Sequence, residues 1–298
     1  MTLSPSIAFL FLTIDNLNHY PVWDKYFNDA DKKKYNIYIH PKNPDKLTDK
    51  LLKPCVIKDL VQTKHGFLTE AMLVLMKEAL KNKNNKYFCF VSDSCIPIKK
   101  FDVMYTEVFK IGKSIVGKMF LKVWDKKKRY IDAVKKVRKS EVIPKKCFAK
   151  FSQWSILIRE DVDKIVISPY LKFFYELDAG DEFYLSILNC DKFEYENRPA
   201  TYVDWAISDD FGLQLHRIQK DLDAGLKKYN YGIGEEDRLI LRDVIGKLKM
   251  EASILASHPR HFDKINDDDI KLLKETPAFF ARKFAKTSNI NTVIDRVW

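Results

Sequence analysis

The chain has 298 residues, of which 46% are hydrophobic and 31% are charged, and its formal net charge is +11. This length fits one large domain or two small ones, and the composition is that of an ordinary globular protein. The positive charge is compatible with a nucleic acid, a membrane surface or a diphosphate-bearing molecule, and does not choose between them. Because the lysines are dispersed and no motif that reads RNA or DNA is present, a basic nucleic-acid-binding protein is only an alternative hypothesis.

The cysteines and the N-terminal region favour a reduced, soluble protein. The five cysteines are widely spaced and include no CxxC pair. This spacing argues against a structural zinc site and a complete disulfide framework, so a reducing compartment is the simpler expectation. The apolar run at residues 7–12 is too short to span a bilayer, and no basic region precedes it. We therefore expect no transmembrane segment and a cytoplasmic location.

Short apolar runs alternate with longer helical patterns in the first half of the chain, which predicts βαβ units and a mainly parallel sheet. The predicted strands lie at residues 6–14, 35–40, 56–59 and 87–91, and the predicted helices at 21–28 and 66–80. The segment from Ser92 to Pro97 is expected to be a loop.

The second half of the chain is less regular. Residues 124–150 are basic and predict a mobile or partly helical excursion. Further strands are predicted at 153–159 and 200–204, and helices from Glu160, over 181–188 and over 208–257. We expect one α/β domain over residues 1–298, with a central mainly parallel sheet flanked by helices and a late helical insertion at 208–257.

Three predicted strand ends carry polar residues: Thr13-Ile14-Asp15, His40-Pro41-Lys42 and Ser92-Asp93-Ser94. The carboxyl ends of strands in such sheets open into a crevice where ligands bind. These ends are therefore candidate ligand contacts, although His40 taken alone is more typical of a structural imidazole.

Acidic motifs do not predict a metal site. Asp93 follows an apolar strand, but the second ligand position is occupied by Cys95, which is a poor ligand for Mg²⁺ or Mn²⁺. The Asp-x-Asp triplets at 161–163 and 221–223 are expected on helix surfaces, and the triplet at 267–269 in a polar loop. Phosphate-cradling glycine motifs are also missing from the sequence, so a diphosphate would need side-chain cations.

The strongest acidic cluster is Asp178-Ala179-Gly180-Asp181-Glu182. Carboxylates at the start of a helix have a purely electrostatic explanation, because they complement the helix macrodipole. The alternative is that one carboxylate faces the crevice and acts as a general base on a hydroxyl group.

Several short motifs follow one another along the chain: Tyr38-Ile39-His40, the segment from Tyr87 to Ile98, Ser152-Gln153-Trp154, Asp181-Glu182, Tyr202-Val203-Asp204-Trp205, His258-Pro259-Arg260 and the segment from Phe280 to Phe284. In this order they resemble the motifs of the Core-2/I-branching β-1,6-N-acetylglucosaminyltransferase family, most closely those of its plant-type branch. The resemblance is weakest over residues 124–150 and 208–257, and Pro41-Lys42 stand where the family often has an aspartate.

The resemblance implies a GT-A-like fold and an inverting, metal-independent glycosyl transfer without a cofactor. The donor would be a UDP-sugar, with UDP-GlcNAc first and UDP-xylose as the alternative, and the acceptor a glycan hydroxyl. A catalytically inactive sugar-nucleotide binder is a further possibility, which the presence of both Glu182 and Lys283 disfavours.

The resemblance also implies roles for individual residues. Glu182 would be the general base, with Lys283 and Arg260 on the donor diphosphate. The donor would also contact the strand-end residues Thr13, His40, Ser92 and Asp93. The acceptor would contact Asp181 and the rings of Trp154 and Trp205, for which core packing is the competing explanation.

Overall fold

The computed structural model describes residues 4–119, 132, 135–137, 139–140, 143–144, 146–190, 192–204 and 259–298. The chain forms two compact units, one from residues 1–202 with 261–298 and one from residues 203–260. The predicted insertion at 208–257, the triplet at 221–223 and most of the excursion at 124–150 lie outside the described residues. The expectation of a single domain over 1–298 therefore stays a prediction.

A six-stranded sheet is the centre of the first unit. In chain order, the strands are β1 (Ser6–Thr13), β2 (Tyr35–Pro41), β3 (Asn85–Ser92), β4 (Ile96–Pro97), β5 (Ser114–Ile115), β6 (Lys118–Met119), β7 (Lys150–Phe151), β8 (Ile156–Ile158), β9 (Tyr195–Glu196), β10 (Thr201–Val203) and β11 (Phe280–Arg282). The central sheet has the order β2-β1-β3-β8-β5-β9, with β8 antiparallel to both neighbours and the other pairs parallel. Smaller sheets have the orders β10-β11-β4 and β6-β7. The predicted α/β fold with a mainly parallel sheet is confirmed.

Helices flank this sheet. They are α1 (Tyr20–Asn28), α2 (Thr69–Leu80), α3 (Phe101–Ile111), α4 (Arg159–Ile167), α5 (Ser186–Asn189), α6 (Asp267–Glu275) and α7 (Ile290–Val297). The amphipathic pattern of α1 buries Val22, Trp23, Tyr26 and Phe27, and these side chains face the core. No helix within the described residues is long and apolar enough to cross a membrane.

An aromatic stack in the core fixes the elements that carry the polar sheet edge. The Trp23 ring stacks on Phe27 at a centroid distance of 5.6 Å and on Phe280 at 5.8 Å. Its indole Nε1 donates a hydrogen bond of 2.9 Å to the carbonyl of Cys95. Buried aromatic pairs add to the energy of area burial. The stack therefore holds β11 and the turn after β3 against the same helix.

Three predicted elements were wrong in kind. At 56–59 only Val56 makes a bridge, to Ile39 of β2, because Lys58 and Asp59 point into solvent. Residues 96–97 of the predicted loop form β4, which pairs with residues 280–281. Such a long-range pairing leaves no local pattern. The predicted helix at 181–188 is broken between a 3₁₀ turn at Gly180–Glu182 and α5, because Phe183, Tyr184 and Leu185 are buried in succession instead of on one face.

Two acidic triplets also differ from expectation. Asp161 is 6% exposed and accepts a 2.6 Å hydrogen bond from the Ser114 hydroxyl, so it is not a surface position. Asp269 belongs to the first turn of α6, not to a loop. There its amide donates to Asn266 Oδ1 at 2.9 Å and its carboxylate accepts from the Asn266 amide, a reciprocal capping box.

Cys147 and Cys190 form a disulfide, whereas Cys55, Cys89 and Cys95 are free. This pair does not fit the expected reducing compartment, while the three free thiols agree with the absence of a complete disulfide framework. The spacing of 43 residues gave no signal, because the two cysteines meet only when the segment before β7 packs on the end of α5. Ser186 strengthens the same junction, since its hydroxyl donates to the Ala149 carbonyl at 2.9 Å and accepts from the Ala149 amide at 3.1 Å.

Candidate active site

The ends of β1, β2 and β3 meet at one edge of the sheet. The Asp93 carboxylate accepts a 3.0 Å hydrogen bond from the Ile14 amide, and the Thr13 carbonyl accepts one of 2.8 Å from the Lys42 amide. Burial raises the pKa of Asp93, while this hydrogen bond and the charge of Arg282 oppose the shift. Thr13 is 7% exposed, and its hydroxyl has no hydrogen-bond partner within the described residues.

His40 is buried, and its Nε2 accepts a 3.0 Å hydrogen bond from the Val61 amide. A ring nitrogen that accepts from an amide carries no proton, so the neutral imidazole has its hydrogen on Nδ1. Burial lowers the pKa of His40, which favours the same neutral form. The observed contact is structural, and contact with a donor stays a prediction.

Ser92 is the last residue of β3, and its carbonyl closes the tight turn that follows by accepting a hydrogen bond from the Cys95 amide. Its hydroxyl is 3.2 Å from both the Ser94 hydroxyl and the Cys95 thiol. The Ser94 carbonyl accepts a 3.1 Å hydrogen bond from the Phe284 amide. This bond attaches the turn that carries Asp93 to the segment that follows β11.

The acidic pair lies on the 3₁₀ turn at Gly180–Glu182. A side chain at residue 180 would clash with the Phe174 carbonyl, because an added Cβ would lie 2.0 Å from that oxygen. The turn can thus pack closely only with glycine there. Since no long helix begins at Asp181, the macrodipole explanation for the two carboxylates is weakened. Asp181 is buried, whereas the Glu182 side chain is 21% exposed.

Glu182 is held by a lysine. Its Oε2 lies 3.0 Å from the ammonium nitrogen of Lys150, whose side chain is only 1% exposed. Lys150 is in β7, within the apolar run Phe148-Ala149-Lys150-Phe151. In the sequence, Lys150 falls at the end of the basic stretch 124–150, so no role was predicted for it. A lysine within an apolar run, two residues before the Ser-Gln-Trp motif, was the available signal.

Residues 280–283 bring two cations to the same edge. Phe280 is anchored on Trp23, and Arg282 and Lys283 follow, both partly buried. Burial lowers the pKa of Lys283, as does the neighbouring charge of Arg282, while Asp93 opposes the shift. Burial also lowers the pKa of Arg282, while Asp93, Asp181 and Glu182 act to raise it. These carboxylates and cations therefore interact within one site.

Trp154 belongs to this site through Arg282, whose guanidinium lies 4.5 Å from the centre of its ring. Trp154 is 6% exposed, so the core-packing explanation accounts for much of its surface. Arg282 lies within a motif of the resemblance but was given no role by the sequence.

For two predicted site residues, the role stays a prediction. Arg260 belongs to the second unit, where its Nη1 lies 3.4 Å from the Asp204 carboxylate. Trp205 lies outside the described residues. Within the part of the chain that the structure describes, no three His, Cys, Asp or Glu side chains are grouped so that they could hold a metal ion.

An α/β sheet that carries an acidic pair and adjacent cations at its strand ends is the arrangement expected of an enzyme that acts on an anionic substrate. The model of the Core-2/I-branching enzyme family matches residues 7–224. The chain therefore belongs to this family, which confirms the predicted family and its enzyme class, the glycosyltransferases.

A curated plant protein is also similar to the chain. It is a protein of Oryza sativa subsp. japonica named glycosyltransferase BC10, and it is 29% identical over 167 residues. The match covers 54% of this chain and 40% of the rice protein. This agrees with the predicted resemblance to the plant-type branch.

Proposed function

We propose that this protein transfers a sugar, GlcNAc, from UDP-GlcNAc to a glycan hydroxyl, with inversion and without a metal ion. The observation that carries the proposal is the juxtaposition of the Glu182 carboxylate, paired with Lys150, and the cations of residues 282–283. An inverting displacement needs these two kinds of group on opposite sides of the reacting carbon.

In the proposed reaction, Glu182 accepts the proton of the acceptor hydroxyl while that oxygen bonds to the anomeric carbon. The bond between the anomeric carbon and the diphosphate oxygen breaks on the opposite face, and UDP leaves with the electron pair. Lys283 stabilises the charge that develops on the diphosphate, a task for which other enzymes use a divalent ion.

Metal independence is part of the proposal because the side chains that follow β3 are poor metal ligands. Asp93 uses one carboxylate oxygen to accept from the Ile14 amide, and Cys95 is buried with its thiol against Ser92. Such a set suits a hard divalent ion poorly. Cationic side chains supply the charge instead, so the role proposed for Arg260 is to join Lys283 on the donor.

A thermal-shift panel tests the donor class. We expect UDP-GlcNAc to raise the Tm, because a ligand at 100 times its Kd stabilises the folded state by about 2.7 kcal/mol. UDP-xylose giving the larger shift would replace GlcNAc by xylose. If no UDP-sugar shifts the Tm while duplex DNA does so in a salt-sensitive manner, the protein is a nucleic-acid binder and the proposal is wrong.

A further inference from the structure

We propose that the Cys147–Cys190 disulfide fixes the position of Glu182 through a neighbouring lysine, and that reduction of this disulfide slows the proposed transfer. This inference rests on the proposed function, because it concerns control of the proposed catalytic base. Neither cysteine belongs to the candidate active site, so the disulfide is a positioning group that responds to redox conditions.

Two segments connect the disulfide with the acidic pair. The lysine segment is residues 147–150, and the base segment is residues 182–190. At one end, Cys147 is bonded to Cys190 across a Cα separation of 5.0 Å. At the other end, the ammonium of Lys150 lies 3.0 Å from the carboxylate that begins the base segment. Only two residues of the lysine segment separate these contacts, so the disulfide lies close enough along the chain to control where the ammonium lies.

The residues between the two ends also make contacts across the segments. The Phe148 ring stacks on Phe183 at a centroid distance of 4.9 Å and an interplanar angle of 16°. The amide and the carbonyl of Ala149 both bond to the Ser186 hydroxyl, at 3.1 and 2.9 Å. The side-chain amide of Asn189 donates a 2.7 Å hydrogen bond to the carbonyl that begins the lysine segment. Every residue of the lysine segment therefore contacts the base segment.

The strand that contains Lys150 has little other support. β7 is two residues long and pairs with β6 in a two-stranded sheet. Two strands this short are marginally stable by themselves, so β7 depends on its contacts with the base segment. A buried ammonium also carries a desolvation penalty that only a close partner offsets. Once the disulfide is opened, the loosened segment lets Lys150 turn towards water, and Glu182 loses the group that orients it.

The two cysteines differ in exposure, which makes the disulfide accessible to a reductant. Cys147 is buried, whereas Cys190 is exposed after the end of α5. Exchange begins when a thiolate attacks one sulfur, and exposed disulfides are the labile ones. A dithiol attacks Cys190 Sγ, the S–S bond breaks, and Cys147 leaves as a thiolate that takes up a proton. The second thiol of the reductant then releases Cys190, so two electrons and two protons pass from the dithiol, which itself becomes a disulfide.

A disulfide that only stabilises the fold is the competing explanation, and the two differ in what reduction does to donor binding. The strand ends and residues 282–283, which are proposed to hold the donor, lie on other elements. A loss confined to the base therefore lowers kcat and leaves the affinity for UDP the same. General loosening of the fold lowers both together.

The rate of UDP release from UDP-GlcNAc by the whole chain, before and after treatment with dithiothreitol, tests the inference. We expect kcat to fall by about 10- to 100-fold on reduction, because a misplacement of about 1 Å at a reacting group costs about 100-fold. The affinity for UDP, measured by calorimetry, should stay the same, which also shows that the reduced protein is folded. Reoxidation should restore kcat.

Three variants assign the effect. Cys147→Ser/Cys190→Ser should have the kcat of the reduced protein and should not respond to dithiothreitol. Cys55→Ser, which removes a free thiol, is the matched control and should respond as the unmodified protein does. In Lys150→Met the lysine contact is already lost, so reduction should lower kcat no further. Two independent losses that multiply would show that the disulfide does not act through this lysine and would overturn the inference.

The remaining outcomes separate this inference from the proposed function. If the oxidised protein releases UDP and reduction leaves kcat unchanged, the role of the disulfide is refuted and the proposed transfer stands. A parallel loss of kcat and UDP affinity on reduction would show a purely structural disulfide and would also refute the inference. If the oxidised protein releases no UDP from UDP-GlcNAc, the proposed function is wrong, and its redox control is rejected with it.

Discussion

Replacing Lys150 by methionine separates the positioning of Glu182 from the stability of the fold. Methionine keeps the length of the buried stem and removes the ammonium group 3.0 Å from the Glu182 carboxylate. The lysine is 1% exposed and the glutamate 21%, so the remaining carboxylate keeps access to water. The substitution therefore removes a constraint on the proposed base without leaving that base fully buried.

Two opposing free energies act on stability in this variant. The attraction between the two charges stabilises the fold, while removal of a buried ammonium relieves a desolvation penalty of similar size or larger. We expect the free energy of unfolding to change by less than about 2 kcal/mol. In contrast, kcat should fall by about 100-fold, because a misplacement of about 1 Å at a reacting group has that effect.

The assay combines urea unfolding with UDP release from UDP-GlcNAc in the presence of an acceptor. Lys150→Arg should recover part of the loss in kcat, and the affinity for UDP should stay the same in both variants. Lys113→Met is the matched control, since Lys113 pairs with Glu196 at 3.5 Å and both side chains are about 40% exposed. An exposed pair of this kind contributes about 0–1 kcal/mol and does not touch the site. If Lys150→Met retains kcat within about threefold, the reasoning that a misplaced base costs activity is refuted.

Further predictions concern binding, pH and the disulfide. Lys283→Gln should weaken UDP binding by about tenfold or more in calorimetry, and unchanged affinity would refute its diphosphate role. Burial lowers the pKa of His19 and His40 below the usual value near 6.5, so the unfolded chain takes up protons first as the pH falls. The free energy of unfolding should therefore decline below about pH 6.5, less steeply in His40→Gln, and an identical pH dependence would contradict this assignment. Reduction of Cys147–Cys190 should lower the free energy of unfolding by up to about 4 kcal/mol, given its 43-residue separation, and an unchanged urea midpoint would contradict that value.

The sequence was most informative where local pattern and fold agree. The apolar runs of β1 and β3 are buried along nearly their whole length, so they predicted the core of the sheet and the polar turns that leave it. Asp93 could be placed at the crevice for that reason. The assignment of Glu182 as the base depended on the order of the motifs, because Asp181 and Glu182 alone had an electrostatic explanation.

The sequence failed where partners meet through tertiary packing. In the sequence, Lys150 looks like one of several solvated lysines. In the structure it is buried, because β7 lies against the turn that carries Glu182. Arg282 contacts the ring of Trp154, which lies more than a hundred residues earlier in the chain. The strand β4 and the pairing of Cys147 with Cys190 depend on equally distant segments. Apart from the apolar run around Lys150, none of these contacts leaves a periodicity or a short motif that identifies its distant partner.

The central claim is that Glu182 is the base of a metal-independent transfer from a UDP-sugar. The most direct measurement is the rate of UDP release from UDP-GlcNAc by the unmodified protein and by Glu182→Gln, both in EDTA. We predict that the unmodified protein is active in EDTA and that the variant loses about 10²- to 10⁴-fold in kcat while binding UDP equally well. Activity that disappears in EDTA and returns with Mn²⁺, or a variant as active as the unmodified protein, would contradict the claim.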